Sequence, residues 1–120
     1  MPKTFHELCE DVKKNIKELT IDDVKRMKAS GEKFKLIDTR EESEFAAGRI
    51  KDAIHLSKGI IERDIHKVAG DHSEKLVLYC GGGFRSALAA DNLQKMGYTN
   101  VYSMDGGWRG WNESGGETEK

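Results

Sequence analysis

One segment constrains the chain more than any other: Leu76-Val77-Leu78-Tyr79 is an unbroken apolar run, and it leads through Cys80 and three consecutive glycines into Phe84-Arg85-Ser86 and a helical pattern. A short apolar run bounded by turn signals reads as a strand buried on both faces, as in parallel sheets. Gly81, Gly82 and Gly83 carry no Cβ, so the backbone N–H groups of the loop are free to curl toward a common point. A helix beginning near Arg85 adds its unpaired N–H groups and the positive end of its dipole, and both favour negative charge at the centre of the cradle. Cys80 lies beside that field, which stabilises a thiolate, the nucleophilic form of sulfur. The plainer reading is a small buried cysteine at a strand end, but such a cysteine requires no glycine loop.

The rest of the chain supplies the sheet. Phe5, Leu8, Cys9, Val12 and Ile16 recur at helical spacing behind a Thr4/Glu7 capping box, which predicts an amphipathic N-terminal helix and makes Cys9 a core filler. A second short helix is expected through Ile21, Val24 and Met27, with Thr20 and Asp22 as caps and Gly31 as its stop. Strand-like and helical stretches then alternate: Phe34 to Asp38, Glu41 to Ala47, Ala53 to Leu56, Gly59 to Ala69, Leu76 to Tyr79, Arg85 to Met96, Val101 to Met104, and a last helix around Trp108. This βαβ rhythm predicts an α/β fold with a parallel sheet, and ligands of such sheets bind at the carboxyl ends of the strands, where Cys80 lies. Residues 1–17 are expected to pack on the domain, 18–112 to form it, and 113–120 to be a disordered polar tail.

Composition removes several function classes. At 120 residues the chain makes one modest core. Its 20 Lys and Arg nearly balance 21 Asp and Glu, so no field draws in nucleic acid or an anionic membrane. No run approaches a membrane span, and no secretory signal opens the chain, so a cytoplasmic location is expected. Cys9 and Cys80 have no spacing that suggests a metal site or a disulfide framework.

Three blocks in order, LIDTREESEFAAGRIKDAIHL (36–56), CGGGFRS (80–86) and YTNVYSMDGGWRGW (98–111), give the chain its resemblance to the rhodanese family of sulfurtransferases. The resemblance implies the three-layer rhodanese-like fold, a central five-stranded parallel sheet flanked by helices on both faces. It implies Cys80 as the catalytic residue, which takes a sulfane sulfur as a persulfide by double displacement, inside a loop formed by Gly81, Gly82, Gly83, Phe84, Arg85 and Ser86. The donor would be a compound such as thiosulfate, the acceptor cyanide, a cellular thiol or an acceptor protein, with neither metal nor cofactor. One departure stands out: Gly48-Arg49-Ile50-Lys51-Asp52 lacks the proline turn that the family commonly has here.

Around the loop several roles stay open. Arg85 either holds an anionic donor or braces the loop through carbonyl contacts. Ser86 reads either as a helix cap or as a hydrogen-bond donor to the loop, with the cap favoured and its contribution positional. Asp38, Arg40 and Glu44 read as structural, with Arg40 and Glu44 placed to pair at i, i+4, while Asp38 falls near the site. Phe84 and Trp108 are either apolar walls of the site or core. The four histidines have no partner in a motif that would make one a general base. Two rivals remain: a cysteine phosphatase or arsenate reductase, disfavoured by only four residues between Cys80 and Arg85 and by Tyr79 before the cysteine, and a non-enzymatic binding or sulfur-relay module, disfavoured by an intact loop.

Overall fold

In the computed structural model, which describes residues 2–120, five parallel strands stand in the order β1-β6-β5-β2-β4. They are β1 (Lys17–Leu19), β2 (Lys35–Asp38), β4 (Ile54–His55), β5 (Leu76–Tyr79) and β6 (Val101–Met104). The helices are α1 (Phe5–Lys13), α2 (Ile21–Ala29), α3 (Glu42–Ala47), α4 (Ile61–Val68), α5 (Phe84–Lys95) and α6 (Gly107–Glu113). The strand β5 is fully buried and central, with β2 and β6 paired to either side of it. Among the described residues no helix is long and apolar enough to cross a membrane.

The two-residue period of the strands sorts the core into two layers. Leu76, Leu78, Ile37 and Val101 face α4 and α5, where Ile61, Ile65, Ala89, Ala90 and Leu93 meet them. Val77, Tyr79, Leu36 and Met104 face the other way, toward Val24 and Met27 of α2 and Trp111 of α6. Full burial of each Val, Leu, Ile or Met side chain among them stabilises the fold by about 1.5–3 kcal/mol. The same alternation carries Cys80 onward on the side of Leu76 and Leu78, toward α5.

Local signals explain the helix starts. Thr4 and Glu7 form the expected capping box, their side chains exchanging bonds with each other's backbone N–H at 3.0 and 3.1 Å. For α2 the partner of Thr20 is Asp23 rather than Asp22, because only the third helical residue reaches back to the cap.

The tail corrects an expectation. Instead of remaining without structure, Thr118–Glu119 forms β7, antiparallel to β3 (Arg49–Ile50) in a separate two-stranded ladder. Glu117 accepts a bond from Trp111 Nε1 at 2.9 Å, and Gly116 lies so close to the indole that a Cβ would stand 2.2 Å from it. In the turn that lacks proline, Asp52 adopts φ +70°, a conformation aspartate tolerates better than most residues, and its N–H bonds Glu119 at 3.0 Å. Arg49 stacks its guanidinium 4.5 Å from the Phe45 ring centre.

Candidate active site

The end of β5 feeds a loop of residues 80–83 that turns into α5 at Gly83, whose φ of +99° is the left-handed conformation that glycine adopts without strain. This turn points backbone N–H groups at the Cys80 sulfur, and that of Gly83 is 3.1 Å from it. The Ser86 hydroxyl lies 3.6 Å from the same sulfur and 2.9 Å from Ser103 Oγ. A hydroxyl has one proton, so when Ser86 donates to the sulfur Ser103 donates to Ser86, and the short relay is complete. Burial alone would push the Cys80 thiol up; hydrogen bonds from the Ser86 hydroxyl and from the N–H groups of Ser86, Gly83 and Gly82 outweigh it and hold the thiol below its ordinary range. Ser86 is therefore not a cap: Gly83 occupies that position, and Ser86 lies inside the helix, fully buried.

A second backbone approach holds the loop from below. The N–H groups of Trp108 and Arg109 donate to the carbonyls of Cys80 and Gly81 at 2.7 and 3.1 Å. Gly107 makes this contact possible, since a Cβ there would stand 2.3 Å from the Cys80 carbonyl oxygen.

The expected pairing of Arg40 with Glu44 is replaced by two others. Arg40 bonds both oxygens of Asp38 at 2.7–3.1 Å and the Gly48 carbonyl at 2.7 Å. The Trp108 ring covers its guanidinium at 4.6 Å. Tyr79 donates its hydroxyl to Asp38 at 2.8 Å and accepts from the Ile50 N–H at 3.1 Å. Burial and the Asp38 carboxylate drive the Tyr79 phenol far above its usual range, so it stays a donor. This network lies on the α2/α6 side of the sheet and fixes the strand ends; Asp38, Arg40 and Trp108 make no hydrogen bond to the Cys80 sulfur through their side chains. Glu44 instead pairs with Arg85 at 3.0 and 3.4 Å, which holds its carboxyl below the usual range. Arg85 runs over Gly81, its Nη2 3.2 Å from where a Cβ would be, and it is engaged by a carboxylate rather than by loop carbonyls.

Above the sulfur is a depression of about 250 Å³ lined by Cys80, Gly81, Gly82, Phe84, Arg85, Arg109 and Phe5. Phe84 is thus a wall of the site, whereas Trp108 belongs to the layer beneath. Phe5, Arg109 and Ser103 are additions to the residues foreseen from sequence. Ser103 had a signal, a small polar residue in the otherwise apolar or aromatic strand Val101–Met104; Phe5 read only as part of a helical stripe, and Arg109 as one more charge. Cys9 is buried beside this region, and burial pushes its thiol up, as suits an inert core residue.

Comparison with known proteins agrees with this architecture. The family model described as Rhodanese-like domain matches residues 20–114. A putative sulfurtransferase of Bacillus subtilis, YtwF, is 32% identical over 104 residues, covering 87% of this chain and 95% of its own. A putative mitochondrial thiosulfate sulfurtransferase of Schizosaccharomyces pombe is 34% identical over 90 residues, which cover 65% of this chain and 63% of that protein. The chain spans 54–65% of the length of several curated relatives that it matches. Among solved structures, a protein of unknown function from Rhodopseudomonas palustris, described as a possible tyrosine phosphatase, superposes with a TM-score of 0.84 at 29% identity over 99% of both chains. A family match that spans the cap of α2, the Cys80 loop and the end of α6 leaves one assignment, and the chain belongs to the rhodanese-like domain family.

Proposed function

We propose that the protein transfers sulfane sulfur through a persulfide on Cys80. The observation that carries this reading is the set of hydrogen bonds converging on one sulfur at the head of α5, which holds the thiol low despite burial. In the first half-reaction the Cys80 thiolate attacks the outer sulfur of a donor such as thiosulfate. An S–S bond to Cys80 forms, the donor's own S–S bond breaks, and sulfite leaves with the bonding pair. In the second, a nucleophile such as cyanide or a thiolate takes the outer sulfur and returns Cys80 as thiolate.

The residues divide the work. The N–H of Gly83 and the hydroxyl of Ser86 stabilise negative charge on the Cys80 sulfur, as the attacking thiolate and again as the thiolate that leaves in the second step, so neither step requires a general base. Relatives named as sulfurtransferases support the same class of reaction for this chain. The phosphatase reading is weaker, because the arginine that would hold a phosphate is already paired with Glu44.

Intact mass after incubation with thiosulfate, then with cyanide, tests the proposal. The expected result is one added sulfur atom that cyanide removes and that the Cys80→Ser protein never gains. Wild-type protein that stays unmodified by thiosulfate and by organic persulfides alike would overturn it.

A further inference from the structure

The depression over Cys80 has a wall from outside the matched family segment. Phe5 is the first residue of α1, and the ring stands in edge contact with Phe84, 6.1 Å between centres. It is 56% exposed, so its outer face is open to solvent at the rim of the site. The helix that carries it is fixed by its capping box and by Cys9 and Val12, buried under it. Lys13 lies over the Phe84 ring at 4.6 Å, which ties the last turn of α1 to the same wall.

The charges in the depression are unequal. Arg85 is neutralised by Glu44, whereas Arg109 has no ion-pair or side-chain hydrogen-bond partner among the described residues. Its backbone is pinned to Gly81, and its Nη1 would stand 3.7 Å from a Cβ at Gly82, directly over the loop. A dianion such as thiosulfate would use the cation and leave two aromatic faces idle. At about 250 Å³ the space suits a small organic molecule and falls just short of the roughly 300–1,000 Å³ of common ligand pockets.

Resting on the sulfur-transfer reading, we infer that Phe5 and Arg109 select the sulfur donor: an organic anion in which the sulfane sulfur sits beside both an apolar group, which packs on Phe5 and Phe84, and an anionic group, which meets Arg109. An aryl thiosulfonate has this chemistry. The Cys80 thiolate forms a bond to its terminal sulfur, the bond between that sulfur and the sulfonyl sulfur breaks, and an aryl sulfinate departs with the electron pair; no proton or outside oxidant is needed.

The test is steady-state kinetics with benzenethiosulfonate and with thiosulfate, cyanide as acceptor, on the wild type, Phe5→Ala, Phe5→Tyr and Arg109→Gln. The readout is the ratio of kcat/KM for the aryl donor to that for thiosulfate, which a general loss of folding or of Cys80 reactivity leaves unmoved. Wild type should favour the aryl donor, Phe5→Ala should cut the ratio by about 3–10-fold, and Phe5→Tyr should keep it. Arg109→Gln should raise KM for both donors. An unchanged ratio in Phe5→Ala, or an unchanged KM in Arg109→Gln, overturns the inference while leaving the persulfide intact; a Cys80 that no donor loads overturns both.

Discussion

Two arginine–carboxylate pairs flank the loop, and their chemistry is the same while their surroundings are not. Asp38 and Arg40 are 0% and 3% exposed in their side chains; Glu44 and Arg85 are 39% and 33% exposed. The first pair is held further by the Tyr79 hydroxyl, the Gly48 carbonyl and the Arg40 backbone N–H, the kind of support a buried charge pair needs if it is not to destabilise the fold. The second is open on one side and sits over Gly81, near the sulfur. Burial makes one pair part of the frame and leaves the other as adjustable charge beside the Cys80 loop.

Breaking the buried pair should have the largest effect. Arg40→Met strands the Asp38 carboxylate and should cost about 3–5 kcal/mol, read as a fall in the urea midpoint. The double variant Asp38→Asn with Arg40→Met should recover much of that loss, since no lone charge is then left inside.

An intermediate effect tests the polar contact between the pairs. Ser86→Ala removes the hydroxyl from the Cys80 sulfur and should cost about 1 kcal/mol of stability. The pH profile of Cys80 alkylation sharpens this: the wild-type rate should level off below the ordinary thiol pKa of about 8.5, and in Ser86→Ala the midpoint should move up.

The smallest effect belongs to the open pair. Glu44→Gln should change stability by less than about 1 kcal/mol near neutral pH, because solvent screens a pair that is a third exposed. Its sign with pH is fixed: the Glu44 carboxyl is lowered in the folded protein, so the contribution is present above the ordinary glutamate value and disappears as pH falls through the lowered one. The acid limb of a stability curve should therefore be shallower in the variant.

What the sequence makes legible follows from the range of each interaction. The bounds of β5 and β6 come out as expected because both are short apolar runs with sharp ends. The Thr4 and Thr20 caps are visible because capping acts within three residues. Glu44 and Arg85 lie 41 positions apart, and only the folded chain makes them partners. For Ser86 the cap reading fails and the loop hydrogen bond holds, because its place in the helix is decided by Gly83, where the left-handed turn has already been made. The tail misleads by composition: its polar residues are held by backbone ladder bonds and by the Trp111 indole, which apolar patterning does not register.

The bonds from residues 108 and 109 to the carbonyls of Cys80 and Gly81 also set an order in time. During synthesis the cysteine emerges long before the segment that closes its loop from below, and β1 must wait for β6 before the sheet is complete. A chain stopped short of Gly107 would lack both bonds, so the loop that carries Cys80 is closed from below only after α6 has been made and packed.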